Sequence, residues 1–431
     1  MRKISIVITA IFICIFGEQK ETTLFYPPFA HTWGVHRGTE EKLDMILGDV
    51  TDFDNPQGLA AVKLKSWDNP KNTDDDDEIT CFGVNANRGQ IIYNTSMRSL
   101  GIYGRNGSGI GEFSNPRGIR ATPDGDIYVA DMGNHRIVHL KMPKFELQWV
   151  KTLGDTFLLA PFDVAVAPGG TLYITDTLRN SIVVMDTSGK IIDEFKKLHS
   201  PRGIDIDAST FRWSAIKKNF IVVVDSSGKK IVKIDRISGQ IEKSISISKF
   251  GFPNADLQYI ALDYLDNCYV PDSINCKIHK FDRKLNYIVS VGECGTKDEQ
   301  FDHPRGIAIW RRFGQIIISE RSGAQYFWVG VDVKNLDFSL DKDNRKILLN
   351  FLITESAYVT VEIEGKSANG KKIDRQRLYR HRVSIGRRKL GIKIPSKIPA
   401  GKYKIYLIFE ATYSSYKHFQ KEFTEKIELL Y

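Results

Sequence analysis

The sequence predicts an all-β protein in which a six-bladed β-propeller is followed by a small β-sandwich. Two observations predict the propeller: a β-rich pattern recurs about every 47 residues, and a Pro-x-Gly motif or its remnant precedes each repeat. A third predicts the sandwich, because after about residue 330 this period gives way to alternating β-runs.

Each repeat contains an acidic residue or Asn, followed six positions later by an apolar or aromatic residue that opens a strand. The spacings between successive second members are 46, 45, 49, 47 and 48 residues. This period is typical of propeller blades, because one small sheet cannot bury both of its faces alone. The pairs are Asn85/Ile91, Asp131/Ile137, Asp176/Ile182, Asp225/Ile231, Asp272/Ile278 and Glu320/Tyr326.

The second repeat shows the blade anatomy most plainly. Residues 118–121, 127–130, 137–140 and 147–153 predict four strands, and Asp124-Gly125 predicts the turn after the first. After the third strand of the sixth repeat the chain leaves for the second domain, so the outer strand of that blade is missing. We expect the N-terminal stretch 43–48 to supply it as a strand, which closes the ring and removes an open sheet edge.

The second repeat also resembles a known family. A Gly-rich lead at 107–113 is followed by Pro116-Arg-Gly-Ile119, by Asp124-Gly-Asp-Ile-Tyr-Val-Ala-Asp131 and by Asn134-His-Arg-Ile137. This combination resembles the NHL repeat. The resemblance implies an NHL-type six-bladed propeller, which we place at residues 43–330.

Residues 331–431 predict the second domain, with β-runs at 346–353, 357–364, 390–394 and 403–409. The sequence 356–363, with Asn369-Gly370 and Pro399-Ala-Gly-Lys-Tyr403, is similar to immunoglobulin-like domains of the flagellar hook-capping type. The last motif also resembles sorting domains that deliver proteins to the bacterial outer surface. This domain has 21 Lys and Arg against 12 Asp and Glu. That excess is most simply interpreted as a solvent-exposed basic surface without a partner. The alternatives are that it binds an acidic glycan, a phospholipid surface or nucleic acid.

The N-terminus predicts a signal peptide at residues 1–17, because an apolar run follows Arg2 and Lys3, and a lead segment at 18–42. Cys14 raises a lipoprotein alternative. We therefore expect a secreted or bacterial cell-envelope, extracytoplasmic location. One disulfide among Cys268, Cys276 and Cys294 fits such an oxidising compartment, with the pairing left open. The composition, 42% hydrophobic and 26% charged, excludes disordered and collagen-like classes.

The predicted binding site is the mouth, the propeller face on which the first strands begin and the second and third strands are joined. Arg117, Arg202 and Arg305 lie on alternate blades, and their guanidinium groups could donate paired hydrogen bonds to a carboxylate, sulfate or phosphate. The alternative is that each Arg pairs with the repeated acidic residue of the neighbouring blade and joins the two blades. Two His precede first strands on the same face. The site residues are Gln57, Arg117, Phe162, Arg202, Gln258, Arg305, His199 and His303.

Other polar or aromatic features of the repeats are assigned mainly structural roles. The repeated acidic residues are expected to accept hydrogen bonds from backbone amides in turns. An insertion at 63–79 carries the acidic run 74–78. A solvent-exposed, flexible loop is favoured over a weak calcium site, because consecutive carboxylates lack the alternating spacing of a calcium-binding loop. A second insertion at 209–218 carries Phe211 and Trp213, which pack under the ring or contact a partner.

These features favour a non-catalytic binding scaffold for a protein or glycan ligand of the cell envelope or extracellular space. We expect a monomer that binds no nucleic acid and needs no cofactor, with membrane-surface association as a further expectation. The first alternative is a lyase or lactonase with a Ca²⁺- or Zn²⁺-assisted site at His199 and His303, as in enzymes that resemble this fold. The second is RNA binding, as in animal NHL proteins.

Overall fold

The computed structural model describes residues 20–27, 36–67, 79–95, 99–207, 219–415, 417 and 419–430. Two compact units are present: one spans Tyr26–Trp328, and the other contains residues 20–25 together with the chain from Val329 onward. The predicted signal peptide, the acidic run 74–78 and the stretch with Phe211 and Trp213 lie outside the described residues. Within the described ranges no helix has the length and apolar character needed to cross a membrane.

The larger unit is the predicted β-propeller, in which successive antiparallel sheets form blades numbered here along the chain. The described strands of blades one and two are, in order, Pro56–Lys63, Ile79–Asn85, Gln90–Thr95 and Ser99–Tyr103, then Pro116–Ala121, Asp126–Asp131, Arg136–Lys141 and Gln148–Leu153. Those of blades three and four are Pro161–Val166, Leu172–Asp176, Ser181–Met185 and Ile191–Phe195, then Ile204–Ile206, Phe220–Asp225, Lys230–Asp235 and Ile241–Ser246. Blade five contains Ala261–Leu262, Cys268–Asp272, Lys277–Phe281 and Tyr287–Val291, and blade six contains Ile307–Trp310, Gln315–Glu320 and Gly323–Val329. Short strands Arg105–Asn106 and Glu112–Phe113 pair in parallel, and single 3₁₀ turns occur at Lys65–Trp67, Ala86–Arg88, Met132–Asn134 and Ile247–Phe250.

Alternate side chains of one strand pack against different neighbouring blades. In blade two, Ile127 and Val129 join a core shared with blade one, whereas Tyr128 and Ala130 join a core shared with blade three. A strand between two blades is therefore apolar on both faces, which explains why these strands have continuous apolar runs. The outer strand Gln148–Leu153 contains both polar and apolar residues and is partly exposed because it ends the blade.

The glycine of the Pro-x-Gly motif lets adjacent blades approach at the ring centre. A Cβ added to Gly118 would lie 2.0 Å from Asp163 Oδ1 of blade three, and one added to Gly306 would lie 2.2 Å from the Gln57 carbonyl oxygen of blade one. No side chain fits at either position. The motif therefore has a packing role as well as marking where a first strand begins.

An N-terminal strand closes the ring, but the predicted residues were wrong. Arg37–Thr39 pairs antiparallel with Gly323–Val329 and completes blade six. Residues 43–48, predicted as this strand, belong to the helix Glu40–Leu47 and to Gly48, which follows it. Two acidic residues in its first turn favour the helix, and only Leu43 is buried, so the alternating burial of a strand is absent.

The smaller unit is the predicted β-sandwich. One sheet contains Val333–Asp341, Lys346–Ile353 and Gly386–Lys393; the other contains Lys372–Val383, Ala357–Ser367, Gly401–Ala411 and Gln420–Leu429. Burial alternates strictly along Gln420–Leu429, as expected for a strand with one face on the core. Phe351 of one sheet packs edge-on against Phe409 of the other at 5.3 Å between ring centroids.

Residues 20–25, from the predicted lead segment, belong to this smaller unit and include the short strand Leu24–Phe25. The Gly330 amide donates to the Thr23 carbonyl at 2.9 Å, and Thr22 Oγ1 donates to the Val331 carbonyl at 2.8 Å. The buried Lys421 ammonium forms an ion pair with Asp332. The N-terminal segment therefore adds to the beginning of the sandwich.

Candidate functional site

The mouth contains the predicted arginines, and their surroundings differ. Arg202 donates from Nη1 to Asp256 Oδ1 at 2.6 Å and to the Leu257 carbonyl at 3.1 Å. Asp256 also accepts from Gln258 Nε2 at 2.9 Å. Arg202 therefore joins blades four and five, as the structural alternative expects, but its partner is Asp256 and not the repeated acidic residue of blade five, Asp272.

Arg305 is held by a neutral partner. Its Nη1 donates to Asn55 Oδ1 of blade one, and Asn55 also accepts from Gln57 Nε2 at 2.8 Å. Burial and the nearby Arg117 cation both lower the pKa of Arg305 below its ordinary value. Its charge therefore lies close to a second positive charge, and no described carboxylate forms an ion pair with it.

Arg117 has no hydrogen-bond or ion-pair partner within the described residues, and its Nε is buried. The guanidinium carbon lies 5.9 Å from the centroid of the Phe162 ring, at the limit of a cation–π contact. Phe162 itself is buried. A guanidinium carries five N–H donors, so Arg117 presents donors that the described chain does not use.

Tyr259 is part of the mouth, although sequence reasoning did not select it. The residue is buried, its hydroxyl donates to Gln57 Oε1 at 3.2 Å, and its ring lies 5.3 Å from that of Phe162. Burial raises the pKa of Tyr259. A signal was available, since Tyr259 replaces the glycine of the Pro-x-Gly pattern in blade five.

Asp163 replaces the same glycine in blade three and was also missed. Its carboxylate accepts from the Val164 amide at 2.9 Å and from the Ile204 amide of blade four at 3.0 Å. Burial raises the pKa of Asp163 to about 7, although the Arg120 cation opposes this.

A buried charge cluster lies beside Asp163 and connects several first strands. Asp205 Oδ1 pairs with Arg120 at 2.9 Å, and Oδ2 pairs with Arg311 at 2.8 Å. Burial raises the pKa of Asp205, but these two cations outweigh it, so the pKa lies below its ordinary value. The cluster ties blades two, four and six together.

The two predicted histidines lie at the rim of the mouth and are exposed. The His199 amide donates to Asp225 Oδ1 at 2.7 Å. His303 Nδ1 lies 3.0 Å from Asp302 Oδ1, and its backbone has φ of 54°, which is unusual for a non-glycine residue. Within the described residues, no group of three or more His, Cys, Asp or Glu side chains is placed to hold a metal ion.

The repeated acidic residues have the structural role that the sequence predicted. In each case a carboxylate accepts from a backbone amide just before the first strand of its own blade. The pairs are Asp131 with Ser114 at 2.7 Å, Asp176 with Ala160 at 2.9 Å, Asp225 with His199 at 2.7 Å, Asp272 with Asp256 at 3.1 Å and Glu320 with Asp302 at 3.1 Å. These hydrogen bonds hold the loops that lead into the first strands.

Comparison with known proteins identifies an NHL repeat at residues 113–140, within blade two. The Drosophila melanogaster protein brain tumor is 35% identical over 63 residues, which are 15% of this chain and only 6% of that protein. The chain thus contains an NHL repeat in blade two, and the matched segment spans only a small part of this curated relative.

Solved structures with a related fold include two enzymes. Virginiamycin B lyase from Staphylococcus aureus is 20% identical, with a TM-score of 0.41, over 57% of this chain and 76% of the enzyme. A gluconolactonase from Xanthomonas campestris is 12% identical, with a TM-score of 0.47, over 70% of this chain and 97% of the enzyme. At this level of similarity the two enzymes give no information about what this chain binds or catalyses.

Proposed function

We propose that this protein is an extracytoplasmic, non-catalytic binding scaffold whose propeller mouth recognises an anionic group of a protein or glycan. The ring is a six-bladed propeller of the NHL type, and the second domain is immunoglobulin-like. The observation that carries the proposal is the Arg117 guanidinium, which has no hydrogen-bond or ion-pair partner within the described residues and lies close to Arg305.

Charge arrangement favours an anion over a neutral ligand. Asp256 already forms an ion pair with Arg202, whereas Arg117 and Arg305 repel each other and neither forms an ion pair with a described residue. An anion placed between these two guanidiniums would remove the repulsion and accept several charge-assisted hydrogen bonds. The buried Phe162 and Tyr259 rings beside Arg117 provide an apolar wall for the rest of the ligand.

The location outside the cytoplasm is supported by the disulfide between Cys276 and Cys294. Such bonds form and persist mainly in oxidising compartments. The apolar run after Arg2 and Lys3 gives independent support as a secretion signal. A cell-envelope or extracellular ligand is therefore the class to test first.

The test compares binding to matched pairs of glycans and peptides, each with and without a carboxylate, sulfate or phosphate. We expect the wild-type chain to retain the anionic member of a pair and the Arg117→Gln variant to lose it. Arg283→Gln is the control, because Arg283 is an exposed arginine in the turn between two strands on the opposite face. Equal retention by wild type and Arg117→Gln would contradict the proposal.

Stability measurements separate a binding arginine from a structural one. Arg117→Gln removes repulsion and no described ion pair, so the free energy of unfolding should stay equal or rise. Arg202→Gln breaks the ion pair with Asp256 and should lower the free energy of unfolding. A clear loss of stability in Arg117→Gln would show that Arg117 is structural. Unchanged binding in His199→Ala and His303→Ala would be consistent with a site that does not use these histidines.

A further inference from the structure

A second candidate site is a cavity whose wall includes none of the three mouth arginines. Blade six, blade one and the helix Glu40–Leu47 together line a cavity of about 270 Å³. Its wall includes Leu43, Phe82, Ile92, Leu100 and Ile317.

The cavity has the size and character of a site for an apolar molecule. An engineered cavity of ~150 Å³ lined by Leu, Ile and Phe stays dry and binds benzene, and this cavity is larger. Its volume lies near the lower end of ligand pockets, which are roughly 300–1,000 Å³. Cys81 adds a neutral thiol to the wall, because burial raises the pKa of Cys81 to about 12.

Two polar side chains on the wall have unused hydrogen-bonding capacity. His36 stacks on Tyr26 at 4.7 Å, and its Nε2 is buried without a hydrogen-bond partner in the described part of the chain. Lys42 donates from Nζ to the Arg37 carbonyl at 3.0 Å and forms no ion pair with any described residue. An ammonium has three donors, so Lys42 can also bind an anionic head group.

The cavity reaches the surface at the helix. Met45 and Ile46 line it, yet they are 69% and 43% exposed, respectively. Exposed apolar side chains at the opening suit a ligand with a hydrocarbon part. We propose that this cavity binds a medium-chain fatty acid, with the hydrocarbon chain among the apolar side chains and the carboxylate at His36 and Lys42.

The first experiment measures binding of decanoate and decanol to the full, delipidated chain by calorimetry. One-to-one binding of decanoate is expected, with decanol bound about tenfold more weakly because it lacks the charge-assisted bonds. His36→Phe and Lys42→Gln should weaken decanoate binding about tenfold and leave decanol binding unchanged. Lys151→Gln is the matched control, since Lys151 also donates to a backbone carbonyl, that of Thr187.

The second experiment fills the cavity. Cys81→Phe should abolish decanoate binding, and Ala324→Leu, on another wall, provides an independent test if Cys81→Phe does not fold. Three outcomes would overturn the proposal: no saturable binding of decanoate, binding that survives both filling variants, or equal affinity for decanoate and decanol. Because these variants leave the mouth arginines in place, the result does not depend on the function proposed for the mouth.

Discussion

Individual residues at the ring centre show how a repeat acquires a site by departing from its own pattern. Where the motif keeps glycine, as at Gly118 and Gly306, the blades simply approach each other closely. Where it does not, Asp163 and Tyr259 place a carboxyl group and a phenol in the same space. The positions that depart from the Pro-x-Gly motif therefore give the mouth its different functional groups, whereas the positions that keep the glycine allow the blades to pack closely.

Asp163 makes stability depend on pH in the sense opposite to most carboxylates. Burial raises its pKa from 3.8 to about 7 in the folded chain, so folding favours the protonated form. The resulting stabilisation of the folded state is complete below pH ~4 and is lost as the pH rises through about 7. The free energy of unfolding should fall by roughly 2–4 kcal/mol over this range. Asp163→Asn should therefore match wild type near pH 4 and exceed it in stability at pH 8.

Urea unfolding at both pH values tests this expectation. Asp193→Asn, a change at an exposed carboxylate of the same blade, is the control and should not alter the pH profile. If Asp163→Asn were less stable than wild type at pH 8, the buried carboxylate would be ionised and stabilising, contrary to this account.

At the scale of elements, the closing strand determines whether blade six is complete. Arg37 lies in this strand and forms a buried ion pair with Glu320, Nη2 to Oε2 at 2.6 Å. It also donates to the Lys297 carbonyl at 2.6 Å. The strand is short, so side-chain contacts of this kind add to its three backbone pairings with Gly323–Val329.

Arg37→Met should destabilise the propeller by roughly 3–5 kcal/mol at pH 7, because the Glu320 carboxylate would stay buried without its cation. Part of the loss should be recovered at acid pH, where Glu320 becomes neutral, since burial already raises its pKa. Chemical unfolding at pH 7 and pH 5 measures both effects, with Arg283→Met as the exposed control. A loss of less than about 1 kcal/mol at pH 7 would contradict the assigned role of the ion pair.

The repeat period predicted the blades because every blade needs similar apolar strands and a side-chain oxygen to hold its loop, a carboxylate in blades two to six and the Asn85 amide in blade one. The period could not locate the closing strand, which has no counterpart in the other blades. Residues 43–48 resembled a strand before a Pro-x-Gly motif, yet their acidic start and single buried residue gave a helix. Arg117 could be predicted from its motif position, whereas the finding that its buried Nε has no hydrogen-bond partner among the described residues required the coordinates of its neighbours.

At the scale of the whole molecule, positive charge is distributed unevenly. The net charge of +9 matches the excess of basic residues from Val331 to Tyr431, so the propeller is nearly neutral. An anion in the mouth would therefore be held by Arg117 and Arg305 locally and not by the field of the whole protein. Binding at the mouth should accordingly depend on geometry more than on ionic strength.

The most direct test of the mouth is to titrate inorganic sulfate at constant ionic strength while measuring the free energy of unfolding. A ligand that binds the folded state raises this free energy in a saturable way. Wild type and Arg283→Gln should show the saturable increase, and Arg117→Gln should show only the small, non-saturating effect of sulfate as a salt. The same saturable increase in Arg117→Gln would contradict the claim that the Arg117 guanidinium forms an anion site.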